Sequence, residues 1–279
     1  MEQETTVVDH GGMRDSNLNR LLNLIRLNAP ISRPELATAA GLSPATVLAL
    51  TNELAERGLV IERGTASAPR GRRPTLLEID STGSYALGLM IREFEVVGSI
   101  VNLHGSIVSS LHWQLDVRNS GEQTIEQIAK LGEELIGQSG LPPERIIGVG
   151  CAVSGYIDSL NGICIDSWQL GWHDFPLGPR LSERLQMPVL VSNNVSCISY
   201  YEHLFGRGQI YQNFLTIALG RGLGLGIVLN GDIYTGSSGG AGEFGHTIAV
   251  IDGRRCECGK TGCLEEYVGH RGILTTYRE

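Results

Sequence analysis

The chain has no run of about 18 apolar residues, so no segment of it is expected to cross a bilayer as a helix. From Met1 to Asp15 there is no basic stretch followed by an apolar one, so a secretory signal is not expected and the cytoplasm is. Positive charge is scarce as well. The 22 Lys and Arg stand against 30 Asp and Glu, a formal net charge of -8, which argues against a protein that coats nucleic acid over its whole surface. A small DNA-reading module attached to an acidic domain is compatible with that balance. The 37 glycines follow no period, which excludes a collagen-like repeat and suits a loop-rich α/β domain. What is present fits two domains: 279 residues with 42% hydrophobic content. Cysteines stand at 151, 164, 197, 256, 258 and 263, and the crowding of the last three points to metal rather than disulfides in a cytosolic chain.

After a flexible tail expected over residues 1–15, Leu18, Leu21, Leu22 and Ile25 repeat at helical spacing and predict a helix that stops near Asn28-Ala29-Pro30. Ser32-Arg33-Pro34-Glu35 is a capping box that opens a second, short helix ending at Gly41. Ser43 as N-cap and Pro44 in the first turn open a third helix, whose inner face is Val47, Leu50, Thr51 and Leu54. Strands are expected at Leu59-Val60-Ile61 and at residues 75–79, with the basic loop Arg70-Gly71-Arg72-Arg73-Pro74 between them. The sum over residues 16–80 is a winged helix-turn-helix, for which operator DNA is the partner. The expected DNA contacts are Ser32, Arg33, Ser43, Pro44, Ala45, Thr46 and Ala49 from the helices, with Arg70, Arg72 and Arg73 from the wing. Ala45, Thr46, Leu48 and Ala49 offer few groups that can hydrogen-bond a base edge, so methyl contacts and the wing arginines must carry much of the readout.

From Ser81 the pattern changes. Strands are expected at residues 85–91, 95–103, 106–115, 145–153 and 188–192, and helices at 122–138, 177–186 and 195–205. Three strands followed by alternating helices and strands suit the ribonuclease-H-like, actin-type α/β fold better than a Rossmann fold. Leu219 to Gly226 is a glycine-dense strand-turn-strand, which reads equally as a phosphate-approaching loop and as a plain hairpin. His246 with Cys256, Cys258 and Cys263 supplies four ligands for a closed, structural Zn²⁺ site, and Gly259 and Gly262 permit the tight turns it needs.

The order of these motifs resembles the ROK family (repressors, open reading frames, kinases), in its helix-turn-helix repressor branch. The resemblance rests on residues 148–158, Leu170-Gly171-Trp172, Ser192-Asn193-Asn194, Gly242-Glu243-Phe244-Gly245-His246 and the Cys-x-Cys-Gly-x-x-Gly-Cys-x-Glu run ending at Glu265. It implies a two-lobed sensor, with a first lobe over residues 81–192 and a second over 193–279. It also implies that the second lobe is incomplete here, because members of the family continue beyond the position of Glu279. The implied sugar-binding residues are Asn193, Asn194, Glu243, His246 and Glu265, with Gly155 beside them; amides and carboxylates suit the paired hydrogen bonds that vicinal hydroxyls make. Ser154, Gln169 and Ser192 fall near the same pocket.

Against the kinases of that family the chain departs at three places. Their glycine-rich phosphate loop corresponds to Met90-Ile91-Arg92-Glu93-Phe94, their general-base Asp to Asn194, and a Thr of their second glycine loop to Arg221. The expectation is a catalytically dead kinase fold: a sugar-responsive repressor, homodimeric or larger, whose operator binding changes when a sugar or sugar phosphate binds. An active ATP-dependent kinase with a DNA-binding head, and a constitutive DNA-binding protein with an inert sensor, are the alternatives.

Overall fold

A computed structural model describes residues 10–65, 74–117, 121–237 and 239–278. The chain divides into two compact units, one reaching to Tyr85 and including Asn102–Ser106, the other holding the rest. No helix among the described residues is long and apolar enough to cross a membrane.

The first unit contains α1 (His10–Asn28), β1 (Ile31–Ser32), α2 (Arg33–Ala40), α3 (Pro44–Glu56), β2 (Val60–Thr65) and β3 (Thr75–Ile79). Helix α1 thus begins six residues ahead of the expected boundary at Ser16. Its stripe of Leu18, Leu21 and Ile25 packs with Leu36, Val47, Leu50 and Leu54 of the other two helices and with Leu77 and Ile79 of the strands. The three-stranded sheet runs β1-β3-β2. The two-residue strand β1, which no periodicity could announce, joins it through Ile31 opposite Leu77. The turn between α2 and α3 closes at Gly41, whose left-handed φ of 61° an L side chain rarely adopts.

The capping box at α2 is complete. Ser32 Oγ and the Ser32 backbone N–H donate to Glu35 Oε2 at 2.6 and 2.9 Å, and these bonds hold the Glu35 carboxyl below its ordinary value near 4.5. A depressed carboxylate contributes stability above its unfolded pKa, and that contribution is lost as pH falls through the lower folded value. The NMR titration midpoint of Glu35 is therefore expected below that of an unstructured glutamate, returning to it in Ser32→Ala. A midpoint unchanged by that substitution would show that the box does not form.

The second unit is built on a five-stranded sheet of order β11-β7-β4-β5-β6. Its strands are β4 (Tyr85–Arg92), β5 (Glu95–Asn102), β6 (Ile107–Gln114), β7 (Ile146–Val153) and β11 (Val189–Asn193). Helix α4 (Glu122–Ser139) lies on it where Gly98 leaves room: a Cβ there would come within 2.5 Å of Leu131. Residues 143–145 form a 3-10 turn, so β7 starts at Ile146 rather than at Arg145. Parallel β7 and β11 are joined through β8 (Tyr156–Asp158), β9 (Ile163–Ser167), β10 (Trp172–Phe175) and α5 (Leu177–Leu185). The small sheet β10-β9-β8 lies where no strand is expected from the sequence, in a stretch that left-handed turns at Gly155, Gly162 and Gly171 break into short pieces. After α6 (Asn194–Phe205) come the antiparallel strands β12 (Phe214–Leu219), β13 (Leu223–Leu229) and β14 (Asp232–Ile233), then α7 (Glu265–Val268) and α8 (His270–Arg278). The glycine-dense stretch is thus a hairpin, with Leu219 opposite Leu223.

Candidate DNA-reading face, effector site and metal centre

In the first unit, two of the expected DNA contacts are committed within the fold. Ser32 is buried and spent on Glu35. Arg33 Nε donates to Thr51 Oγ1 at 2.9 Å, and its NH2 reaches Asn52 Oδ1 at 3.3 Å and Glu62 Oε1 at 2.8 Å, so it ties α2 to α3 and β2. Ser43 caps α3, accepting from the Thr46 N–H at 3.1 Å, with the two hydroxyls 2.8 Å apart. Pro44, Ala45 and Ala49 are exposed at the front of the helix. Asn52, also exposed, extends the stripe begun at Ala45 by two helical turns; the i, i+3, i+4, i+7 spacing could have identified it. Arg70, Arg72 and Arg73 lie outside the described residues.

The metal-ligand set assembles as its spacing predicts. The ligand atoms of His246, Cys256, Cys258 and Cys263 all lie within 4.8 Å of one another. Cys258 Sγ is 3.7 Å from Cys263 Sγ, and Cys256 Sγ is 3.6 Å from His246 Nδ1. Two ligands about 2.3 Å from one ion at the tetrahedral angle stand about 3.8 Å apart, so this spacing fits a four-coordinate site. Gly262 makes the fold-back possible: at φ 78°, a Cβ there would lie 1.7 Å from the Val250 carbonyl oxygen. Burial pushes the Cys256 and Cys263 thiols above their ordinary value, and a bound dication is what would reverse that preference.

Strand β13 gathers the residues around the expected sugar site. Gly224 and Gly226 let α6 approach, since Cβ atoms there would meet Val195 at 2.5 Å and Ser199 Oγ at 1.8 Å. The Leu223 N–H donates to Glu265 Oε2 at 2.8 Å, and Leu225 N–H donates to the Gly242 carbonyl at 3.1 Å. Glu243 Oε2 is 3.7 Å from His246 Nε2, so the imidazole offers one nitrogen to the cysteine cluster and turns the other toward a carboxylate. Partial desolvation raises the pKa of the half-exposed Glu243, opposed by the charge of His246, with Glu265 adding to the rise and Lys260 opposing it.

Asn193 is differently employed. Its Oδ1 accepts from the N–H groups of Val195 (2.8 Å) and Ser196 (3.4 Å), and its Nδ2 donates to the Gly155 carbonyl at 2.9 Å. The other amide hydrogen has no partner among the described residues. Gly155 itself, at φ 115°, has no room for a Cβ, which would sit 2.4 Å from the Asp166 carbonyl oxygen. Asn194 opens α6, its Oδ1 3.0 Å from the Val195 N–H. A small cleft is lined by Trp168, Gln169, Arg221, Gly222, Glu257, Glu265, Glu266 and Arg271. Of the residues implied by the resemblance, Glu265 lines it; Trp168 and Arg271 were not singled out from the sequence. At the cleft, Arg221 on the β12–β13 turn forms an ion pair with Glu93 on the β4–β5 turn.

The sequence model of the ROK family matches residues 94–279, and that of a winged helix-turn-helix DNA-binding domain matches residues 14–61. The xylose repressor of Bacillus spizizenii is 30% identical over 268 residues, 96% of this chain and 69% of that protein. The DNA-binding transcriptional dual regulator NagC of Escherichia coli is 27% identical, over 94% of this chain and 64% of its own length. Among solved structures, a ROK family transcriptional regulator described as a homologue of the E. coli MLC protein superposes with a TM-score of 0.84 at 26% identity, covering 95% of this chain and 67% of that one. A ROK family glucokinase from Streptomyces griseus, in complex with glucose and AMPPNP, superposes with a TM-score of 0.62 at 28% identity, over 69% of this chain and 59% of its own. The kinase-type fold expected from the strand and helix order is therefore the fold present, and by the match from residue 94 onward the chain belongs to the ROK family.

Proposed function

We propose that the protein is a cytoplasmic, sugar-responsive transcriptional repressor that binds operator DNA as a homodimer or larger homo-oligomer. The observation that carries this reading is the joining, in one chain, of a winged helix-turn-helix and a ROK sensor, in an order shared over 96% of the chain with a repressor. The effector is a sugar or sugar phosphate, bound through Asn194, Glu243, His246 and Glu265, with Gly155 and Asn193 shaping the entry to α6. Sugar binding would favour one arrangement of the sensor's two lobes, divided near residue 193, and so bias the spacing of the DNA-reading heads.

The fold is that of kinases, but three features support a loss of phosphoryl transfer. The β4–β5 turn carries Glu93 where phosphate would approach, and Arg221 is paired with it. Asn194, as an amide, cannot take the proton from a sugar hydroxyl at neutral pH. The Cys3His cluster is read as a structural Zn²⁺ site: its four ligands leave no open position for water, and a bound Zn²⁺ would cross-link the 3-10 turn Phe244–His246 to the 256–263 loop.

The test is a thermal-shift screen of zinc-loaded protein against sugars, sugar phosphates and ATP. One sugar at 100 times its Kd is expected to stabilise the protein by about 2.7 kcal/mol, and ATP by nothing measurable. Glu243→Gln should lose the sugar shift while retaining the melting temperature of the free protein. Stabilisation by ATP, together with phosphorylated product that disappears in Asn194→Ala, would overturn the reading in favour of a kinase.

A further inference from the structure

The outward stripe of α3 is almost mute. Ala45, Leu48, Ala49 and Asn52 are all exposed along one side of the helix, and only Asn52 carries groups that can hydrogen-bond a base edge. What Asn52 can read is set by its neighbour. A guanidinium has donors and no acceptor, so the Arg33 NH2 at 3.3 Å compels the amide oxygen to face it. Arg33 is in turn held by the buried Thr51 and by Glu62. The Asn52 Nδ2 is left on the other end, and no partner for it is found among the described residues.

We infer that Asn52 is the base-reading side chain of α3 and that it acts as a donor only, selecting guanine, whose N7 and O6 acceptors lie side by side in the major groove. This rests on the DNA-binding reading above. An asparagine with both ends free suits adenine, giving a hydrogen to N7 and accepting one from N6. By occupying the oxygen, Arg33 removes the acceptor half of that pair, and so serves as a positioning residue. Cytosine, which presents an N4 donor, is opposed to Nδ2 donor against donor. Leu48 beside it supplies an apolar surface for a thymine methyl group.

The experiment is selection from a randomised DNA duplex pool by the full, zinc-loaded chain, followed by titration of single-base variants at fixed salt. The unsubstituted protein is expected to enrich a guanine at one position of each half-site. Asn52→Ala should flatten the preference at that position by about tenfold and leave the other positions and the salt dependence unchanged. Asn52→Asp, which has only acceptors, should move the preference to cytosine. Arg33→Met, in a variant shown by its melting curve to be folded, should move it toward adenine, a change that a merely structural arginine would not cause. An unaltered preference in Asn52→Ala, or a uniform loss of affinity across all sequences, overturns the inference while leaving DNA binding intact. If the unsubstituted protein enriches no sequence, the DNA-binding reading fails and this assignment falls with it.

Discussion

Cys263→Ser is expected to abolish zinc binding and to lower the melting temperature of the sensor. Cys263 is fully buried, and it is the ligand through which the 256–263 loop returns to the 3-10 turn of His246: its Sγ lies 3.7 Å from Cys258 Sγ, and Ile248 bridges Cys263. A serine hydroxyl is a poor substitute for thiolate, and three remaining ligands hold the ion far less firmly. In zinc-finger peptides the metal contributes about 10–16 kcal/mol. If only about 3 kcal/mol of that is felt by a unit of this size, the melting temperature falls by about 6–12 °C. Metal analysis should give one zinc per chain before the substitution and close to none after it. The effector response should be lost in the same variant, because His246 presents Nε2 to Glu243 only while Nδ1 is held at the cluster. A protein that contains no zinc as isolated, and melts at the same temperature with and without a chelator, would remove the metal from this account.

The second large effect is expected at the opposite end of the chain. Leu36 is fully buried among α1, α2 and α3, in a core that the short helices and a three-stranded sheet have to share. Leu36→Ala removes apolar contact and leaves a cavity, at a cost of about 2–5 kcal/mol. That is a large share of the stability of a small domain, so the DNA-reading unit should melt at a clearly lower temperature and operator binding should be lost at that lower temperature. Zinc content and sugar-induced stabilisation should be retained, because the ligands for both lie in the other unit. An unchanged melting temperature of that unit would mean that this core tolerates the loss, contrary to its burial. Loss of the sugar response as well would mean that the two units do not fold separately.

The features read correctly in advance are those whose causes lie within a few residues of one another. The Ser32/Glu35 box, the Ser43 cap and the Gly41 turn are set by hydrogen bonds across three or four positions, and each is found as its residue types require. Strands β4 and β5 announce themselves by alternation, as in β4, where Tyr85, Leu87, Leu89 and Ile91 are all buried. The cysteine cluster is equally local, since Cys256, Cys258 and Cys263 need only two glycine turns to meet.

What the amino-acid sequence determined by itself, then, is the longer helices and strands, their caps and the clustering of the cysteines, because those are governed by short-range geometry. The tertiary structure decided which groups are free to act. Asn193, implied by the resemblance as a sugar ligand, has its amide spanning from Gly155 to the first turn of α6, which leaves one amide hydrogen for a ligand. Arg33 reads as a DNA contact until Thr51, Asn52 and Glu62 are seen to hold it. Glu93 and Arg221, two separate departures from the kinase pattern, turn out to be partners across 128 positions of chain. Such pairings depend on where the backbone returns after long excursions. A side chain's type states what bonds it can make, and only the fold states which of them are already made.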